Sequence, residues 1–151
     1  MEARFIADST LGRLAKWLRV MGYDTIYQSF YRKDSMTDLV REGRILLYRQ
    51  QATVTHYPSS ILIHSDHLKE QLQEMKGMGV ITPDRSRWFT RCLICNMPLE
   101  EANAAVARQN VPEHVIYQSP STIRFCPSCS RHFWPGSHRE RMNRQLEEWG
   151  F

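Results

Sequence analysis

The chain has 151 residues, of which 42% are hydrophobic, and a formal net charge of +4 at pH 7. Its pI is near 9.0 and its mean hydropathy is −0.50. These values predict a soluble globular chain with a mild lean toward polyanions, and no apolar run approaches the ~20 residues that a membrane span requires.

Residues 4–7, Arg-Phe-Ile-Ala, predict a short buried strand that ends at Asp8. Ser9 or Thr10 can cap the helix that follows, in which Leu11, Leu14, Ala15, Leu18 and Met21 fall at helical spacing. Gly22 stands where a helix C-cap is wanted. Tyr23 to Tyr27 form a second apolar run with β-branched Thr25 and Ile26 at its centre. Ser35-Met36-Thr37-Asp38 resembles a capping box and predicts a short helix through Leu39 and Val40 to Glu42, broken by Gly43. Ile45 to Tyr48 read as a third strand and Ile61 to Ile63 as a fourth. Leu68 to Met75 form an amphipathic helix with Leu68, Leu72 and Met75 inward, closed by Gly77 and Gly79. Strands alternating with helices predict βαβ units and a mainly parallel sheet flanked by helices.

The four cysteines lie in two C-x-x-C pairs, Cys92/Cys95 and Cys126/Cys129, with residues 96–125 between them. Two thiolates on a tight turn can bind one metal ion, and two such turns complete the tetrahedral S4 shell of a structural zinc. The alternative is a pair of disulfides or a redox pair. Residues 1–20 carry no apolar stretch of the secretory type, which predicts a cytoplasmic chain whose thiols stay reduced. Residues 1–84 are therefore assigned to an α/β domain. Residues 85–151 are assigned to a zinc ribbon with an inserted segment, helical over 100–114, and a C-terminal helix. Phe133 and Trp134 are expected to pack on the ribbon, and His138 has no place in a shell already filled by four thiolates.

Arginine far outnumbers lysine, and arginine grips phosphate bidentately and stacks on bases. Its clusters at residues 13–19, 41–49, 85–91 and 131–144 point to RNA or a ribonucleoprotein as partner, against the plainer reading of solvated surfaces. Asp8, Asp38 and Asp66 each fall near a strand end or a helix start. Singly each suits a helix cap. Together at the carboxyl edge of a parallel sheet, they could share Mg²⁺ or Mn²⁺ and activate water against a phosphodiester.

Residues 4–24 (RFIADSTLGRLAKWLRVMGYD), 91–99 (RCLICNMPL) and 125–142 (FCPSCSRHFWPGSHRERM) resemble the ribonuclease domain named for the C-terminus of the mutator exonuclease. Residues 43–50 (GRILLYRQ) match its second motif in part. The resemblance spans nearly the whole chain and implies a PIN-like fold joined to a C-terminal zinc ribbon. It implies a metal-dependent endoribonuclease in which Asp8 matches the first acid, Asp38 the second and Asp66, loosely, the last. Arg13, Lys16 and Arg19 on the first helix would then meet the RNA backbone.

The sequence departs from the family where Gln50 stands in place of an acid and Tyr48 in place of a small hydroxyl residue. Glutamine offers a carbonyl oxygen without charge, which lowers the expected Mg²⁺ affinity. Two readings follow: a weakened ribonuclease, or an inactive RNA- or ribonucleoprotein-binding protein stabilised by zinc. Exposed aromatics such as Trp88 and Trp134 would serve a third, a protein-binding adaptor. PIN-like folds often pair, so a homodimer is compatible with any of them.

Overall fold

Phe5, Ile6 and Ala7 are all fully buried, which is the pattern of a central strand covered on both faces. They form β1 (Phe5–Ala7), which pairs in parallel with β2 (Thr25–Tyr27) on one side and β3 (Ile45–Tyr48) on the other. Beyond β3 lies β4 (Ser60–Leu62), also parallel, so the strand order is β2-β1-β3-β4. Ile6 stands opposite both Ile26 and Leu46. The chain leaves β1 toward β2, then passes β1 again to reach β3 and moves on outward to β4. The β1/β3 boundary is therefore the switch point, whose carboxyl end is where ligands collect in open parallel sheets.

A computed structural model describes residues 2–49, 57 and 59–151. Gln50, which carries the argument for a missing acid, lies outside the described residues. By contacts the chain divides into two units, Met1–Asn96 and Met97–Phe151. No helix among the described residues is long and apolar enough to cross a membrane.

In the first unit, α1 (Gly12–Val20) packs beside α3 (Leu68–Gly77), with Leu14, Leu18, Leu72 and Met75 fully buried. Each such side chain contributes about 1.5–3 kcal/mol by leaving water. Between them in sequence, α2 (Lys33–Arg41) lays Met36, Leu39 and Val40 against Ile6, Leu46 and Tyr48. Phe5 and Ala7 alternate to the opposite side of β1.

Two helix starts differ from the sequence expectation. α1 begins at Gly12 with Leu11 at the N-cap and no side-chain cap. Neither Ser9 nor Thr10 fills that role, because a turn closed by Leu11 N–H donating to the Asp8 carbonyl at 2.8 Å intervenes. α2 begins at Lys33, so Ser35 and Asp38 lie inside the helix instead of opening it. Starting one turn earlier puts Met36 on the same apolar stripe as Leu39 and Val40, and that burial outweighs the capping box.

Gly22, at φ +92°, is required on two counts. The left-handed conformation favours glycine, and an added Cβ would stand 2.5 Å from the Arg87 carbonyl oxygen.

The second unit carries a small antiparallel sheet of β5 (Glu100–Glu101), β6 (Arg124–Phe125) and β7 (His132–Phe133), in that order. The segment expected as one helix over 100–114 is instead β5 followed by α4 (Ala104–Asn110) and α5 (Glu113–Gln118). Asn103 caps α4, its side-chain oxygen accepting from Ala105 N–H at 2.9 Å. Pro112 forces the break, since the residue before a proline is driven to extended backbone and Val111 sits at φ −119°, ψ 141°. Ala107, Val111, Val115 and Ile123 make a small core against which Trp134 packs. α6 (Ser137–Glu148) closes the chain and buries Met142 and Leu146.

Candidate functional site

The two C-x-x-C segments fold into matching turns. Asn96 N–H donates to the Cys92 carbonyl at 2.9 Å, and Ser130 N–H donates to the Cys126 carbonyl at the same 2.9 Å. Both residues after the second cysteine take left-handed backbone, Asn96 at φ 66° and Ser130 at φ 62°. Asparagine tolerates that conformation and serine less readily, at about 1 kcal/mol. The Cys95 N–H also points at the Cys92 Sγ, 3.3 Å away. Cys92 and Cys126 are fully buried, and Cys95 and Cys129 partly so.

The four Sγ atoms all lie within 4.8 Å of one another. A tetrahedral ZnS4 centre with bonds near 2.3 Å needs sulfurs about 3.8 Å apart, so the cluster is compatible with a structural zinc. Four thiolates leave no coordination position for substrate, and a zinc held here would stabilise the fold without taking part in chemistry.

Residues 85–96, assigned with the ribbon from sequence, belong by contacts to the first unit. Arg19 is a main reason. It is only 7% exposed, and its guanidinium donates to the Thr25 carbonyl at 2.9 Å, the Leu93 carbonyl at 3.0 Å and the Ile94 carbonyl at 3.3 Å. Burial lowers its pKa from the usual arginine value, and it lies close enough to Cys92 and Cys95 for their charge to oppose that shift. The expectation that Arg19 meets RNA is therefore corrected: it lies beneath the first cysteine turn. Arg13 and Lys16, on the same helix, are exposed as expected.

Asp24 completes this attachment. Its carboxylate accepts from Arg44 Nη1 at 2.8 Å and Nη2 at 3.1 Å, and from Asn96 Nδ2 at 2.6 Å. Thr25 N–H donates back to the Asn96 side-chain oxygen at 2.9 Å, and Arg91 Nη1 donates to the Asn96 carbonyl at 2.7 Å. Burial pushes the Asp24 carboxyl upward, but hydrogen bonds from Arg44 and Asn96 outweigh it and hold its pKa below the ordinary 3.8. A carboxyl lowered on folding stabilises above its unfolded pKa, and that stability is lost as pH falls through the folded value. Asp24→Ala is expected to cost about 2–3 kcal/mol near neutral pH by taking from the buried Arg44 its two-bond carboxylate partner. In urea titrations the gap from wild type should close below pH 3.8; a gap constant with pH would refute the ionic role.

At the opposite, carboxyl edge, Asp8 follows β1 at the switch point and is half-buried. Its N–H extends the ladder to the Leu47 carbonyl at 2.9 Å. Its carboxylate accepts from Ser9 Oγ at 3.1 Å and from Thr10 N–H at 3.4 Å, so it shapes the turn and does not cap α1. Two tyrosines fasten the neighbouring loop. Tyr27 Oη donates to the Ser9 carbonyl at 2.9 Å, and Tyr31 Oη donates to the Ala7 carbonyl at 2.8 Å while accepting from Gln28 N–H at 2.9 Å. Burial pushes the Tyr31 hydroxyl up to about 12, with the Asp8 charge adding to the shift. From sequence Tyr27 marks only the end of a strand, and nothing local to Tyr31 indicates that its hydroxyl reaches Ala7, 24 residues away.

The other two acids make none of these hydrogen bonds. Asp38 is exposed on α2, and Asp66, 82% exposed, pairs with Arg49, whose guanidinium also reaches the Ser65 carbonyl. Asp66 does not cap α3 either, since His67 holds the N-cap position without a side-chain bond. Among the described residues, the only group of three or more His, Cys, Asp or Glu placed to share an ion is the four cysteines. Asp8, Asp38 and Asp66 do not form such a group among the described residues. Trp88, expected outside, is 5% exposed.

The family model of the Mut7-C RNAse domain matches residues 3–146. No curated protein matches the chain.

Proposed function

We propose, because this chain belongs to the Mut7-C RNAse domain family, that it acts on RNA as an endoribonuclease with Asp8 as the carboxylate at the cleavage site. The family carries a ribonuclease-type role, and the observation that supports Asp8 is its place. It stands at the carboxyl end of the central strand, at the switch point of the sheet, and leaves the helix amides of α1 uncapped. Exposed Arg13 and Lys16 follow on α1 and are suited to backbone phosphates, which are bound with a strong dependence on salt. The four cysteines would hold a structural zinc that stays outside the chemistry.

Divalent-ion catalysis by Asp8, Asp38 and Asp66 together finds no support in the described residues, so no step is routed through Mg²⁺ or Mn²⁺. A second reading, RNA or ribonucleoprotein binding without hydrolysis, is favoured by two features. Gln50 supplies no charge, and the Arg49 guanidinium neutralises Asp66.

Cleavage of a labelled mixed RNA pool, with Mn²⁺ and without added ion, separates the readings. Omitting the ion is preferable to a chelator, which would also strip zinc. Cleavage by the wild type that drops at least ~100-fold in Asp8→Asn is the expected result. Salt-sensitive retention of RNA by both proteins, with no cleavage by either, would establish the binding reading instead.

A further inference from the structure

Phe30 is 75% exposed in the loop between β2 and α2, flanked by Tyr27 and Tyr31, which are both partly buried. From this setting we infer that Phe30 is a stacking platform for an unpaired base and that the RNA taken by this edge is single-stranded. The inference rests on the proposed RNA-directed function and adds to it a substrate class and a binding residue.

The loop is held in place. The Tyr31 hydroxyl donates to the Ala7 carbonyl, one residue before Asp8, and accepts from Gln28 N–H in the loop itself. The Tyr27 hydroxyl donates to the Ser9 carbonyl, one residue after Asp8. The Tyr27 ring also lies against Gly12, where an added Cβ would come within 3.1 Å of its Cζ. Residues 27–31 are thus tied on both sides of Asp8, and Phe30 projects from a loop whose backbone is already ordered. A ring presented this way loses little entropy when a flat partner covers it.

The surrounding charge selects the partner. Arg32 and Lys33 follow Phe30 and are exposed, and Arg13 follows Gly12, against which Tyr27 packs, at the start of α1. Asp34 and Asp8 are the acids of this stretch. An exposed aromatic beside cations is the arrangement that binds single-stranded nucleic acid, with the ring taking a base face and the cations taking phosphates. Bases in an RNA duplex are stacked on each other and present no free face, so the same ring discriminates against double strands.

The test is fluorescence anisotropy of a labelled single-stranded RNA and of a duplex of the same length, without added Mg²⁺ or Mn²⁺, with RNA integrity checked on a gel. Wild type, Phe30→Ala and Phe30→Trp are compared. Phe30→Ala is expected to weaken single-strand binding roughly 5- to 150-fold, the range for one lost base stack, while duplex binding changes little and Phe30→Trp retains affinity. An unchanged melting temperature would show that the exposed ring supports no core. Wild-type binding that Phe30→Ala leaves intact, or an equal loss in Phe30→Ala and Phe30→Trp, would overturn the stacking role while leaving the RNA-directed function standing. Wild type that holds neither RNA would overturn both.

Discussion

Cys126→Ser is expected to unfold residues 97–151 and to release zinc. Cys126 is fully buried, and its carbonyl and N–H anchor the second cysteine turn through Ser130 and Arg131. The apolar core of this unit is small: Ala107, Val111, Val115 and Ile123 with Trp134 alongside, and Met142 and Leu146 from α6. A unit of this size has only a few kcal/mol of stability from its own core, whereas a structural zinc contributes an apparent ~10–16 kcal/mol near neutral pH. Losing one of four thiolates removes a large share of that. Zinc content by metal analysis and limited proteolysis of the purified variant provide the check. One equivalent of zinc with protease resistance equal to wild type would contradict the metal-nucleated unit.

Arg19→Met is expected to destabilise the first unit by about 3 kcal/mol, and Arg13→Met by close to nothing. Methionine keeps the apolar stem of arginine but leaves the Thr25, Leu93 and Ile94 carbonyls without their donor. The Thr25 acceptor is buried and the other two are partly so, and a buried acceptor left unpaired costs about 1–3 kcal/mol. Two of the three belong to the Cys92–Cys95 turn, so zinc transfer to a competing chelator should also quicken. Arg13 is exposed on the same helix, so its loss should appear in RNA affinity and in the salt slope of binding instead. Urea midpoints and zinc-release rates for the two variants separate these roles. Matching midpoints would refute the buried role of Arg19.

The same two arginines show where a reading of the chain succeeds and fails. The period of α1 was legible, and so was its buried stripe of Leu11, Leu14, Ala15 and Leu18. Arg19 extends the i+4 row of Leu11 and Ala15, a signal that it faces inward. Nothing nearby in sequence told which carbonyls it would meet, since Leu93 is 74 residues away. Asp24 was hidden for the same reason, as its partners Arg44 and Asn96 lie 20 and 72 residues along the chain. Conversely, the capping box at Ser35–Asp38 was a strong local signal that lost to burial of Met36.

The sequence by itself determined the alternation of strands and helices over residues 5–77, the two C-x-x-C cysteine pairs and the family. Those depend on short-range periodicity and on a C-x-x-C spacing that forms nearly the same turn wherever it occurs. Only the tertiary structure decided which charges are buried, that Asp8 stands at the sheet's switch point, and that Asp66 pairs with Arg49. Burying a charge is unfavourable unless specific partners meet it, and here those partners come from segments distant in the chain. Their meeting depends on strand order and register, which no local pattern encodes.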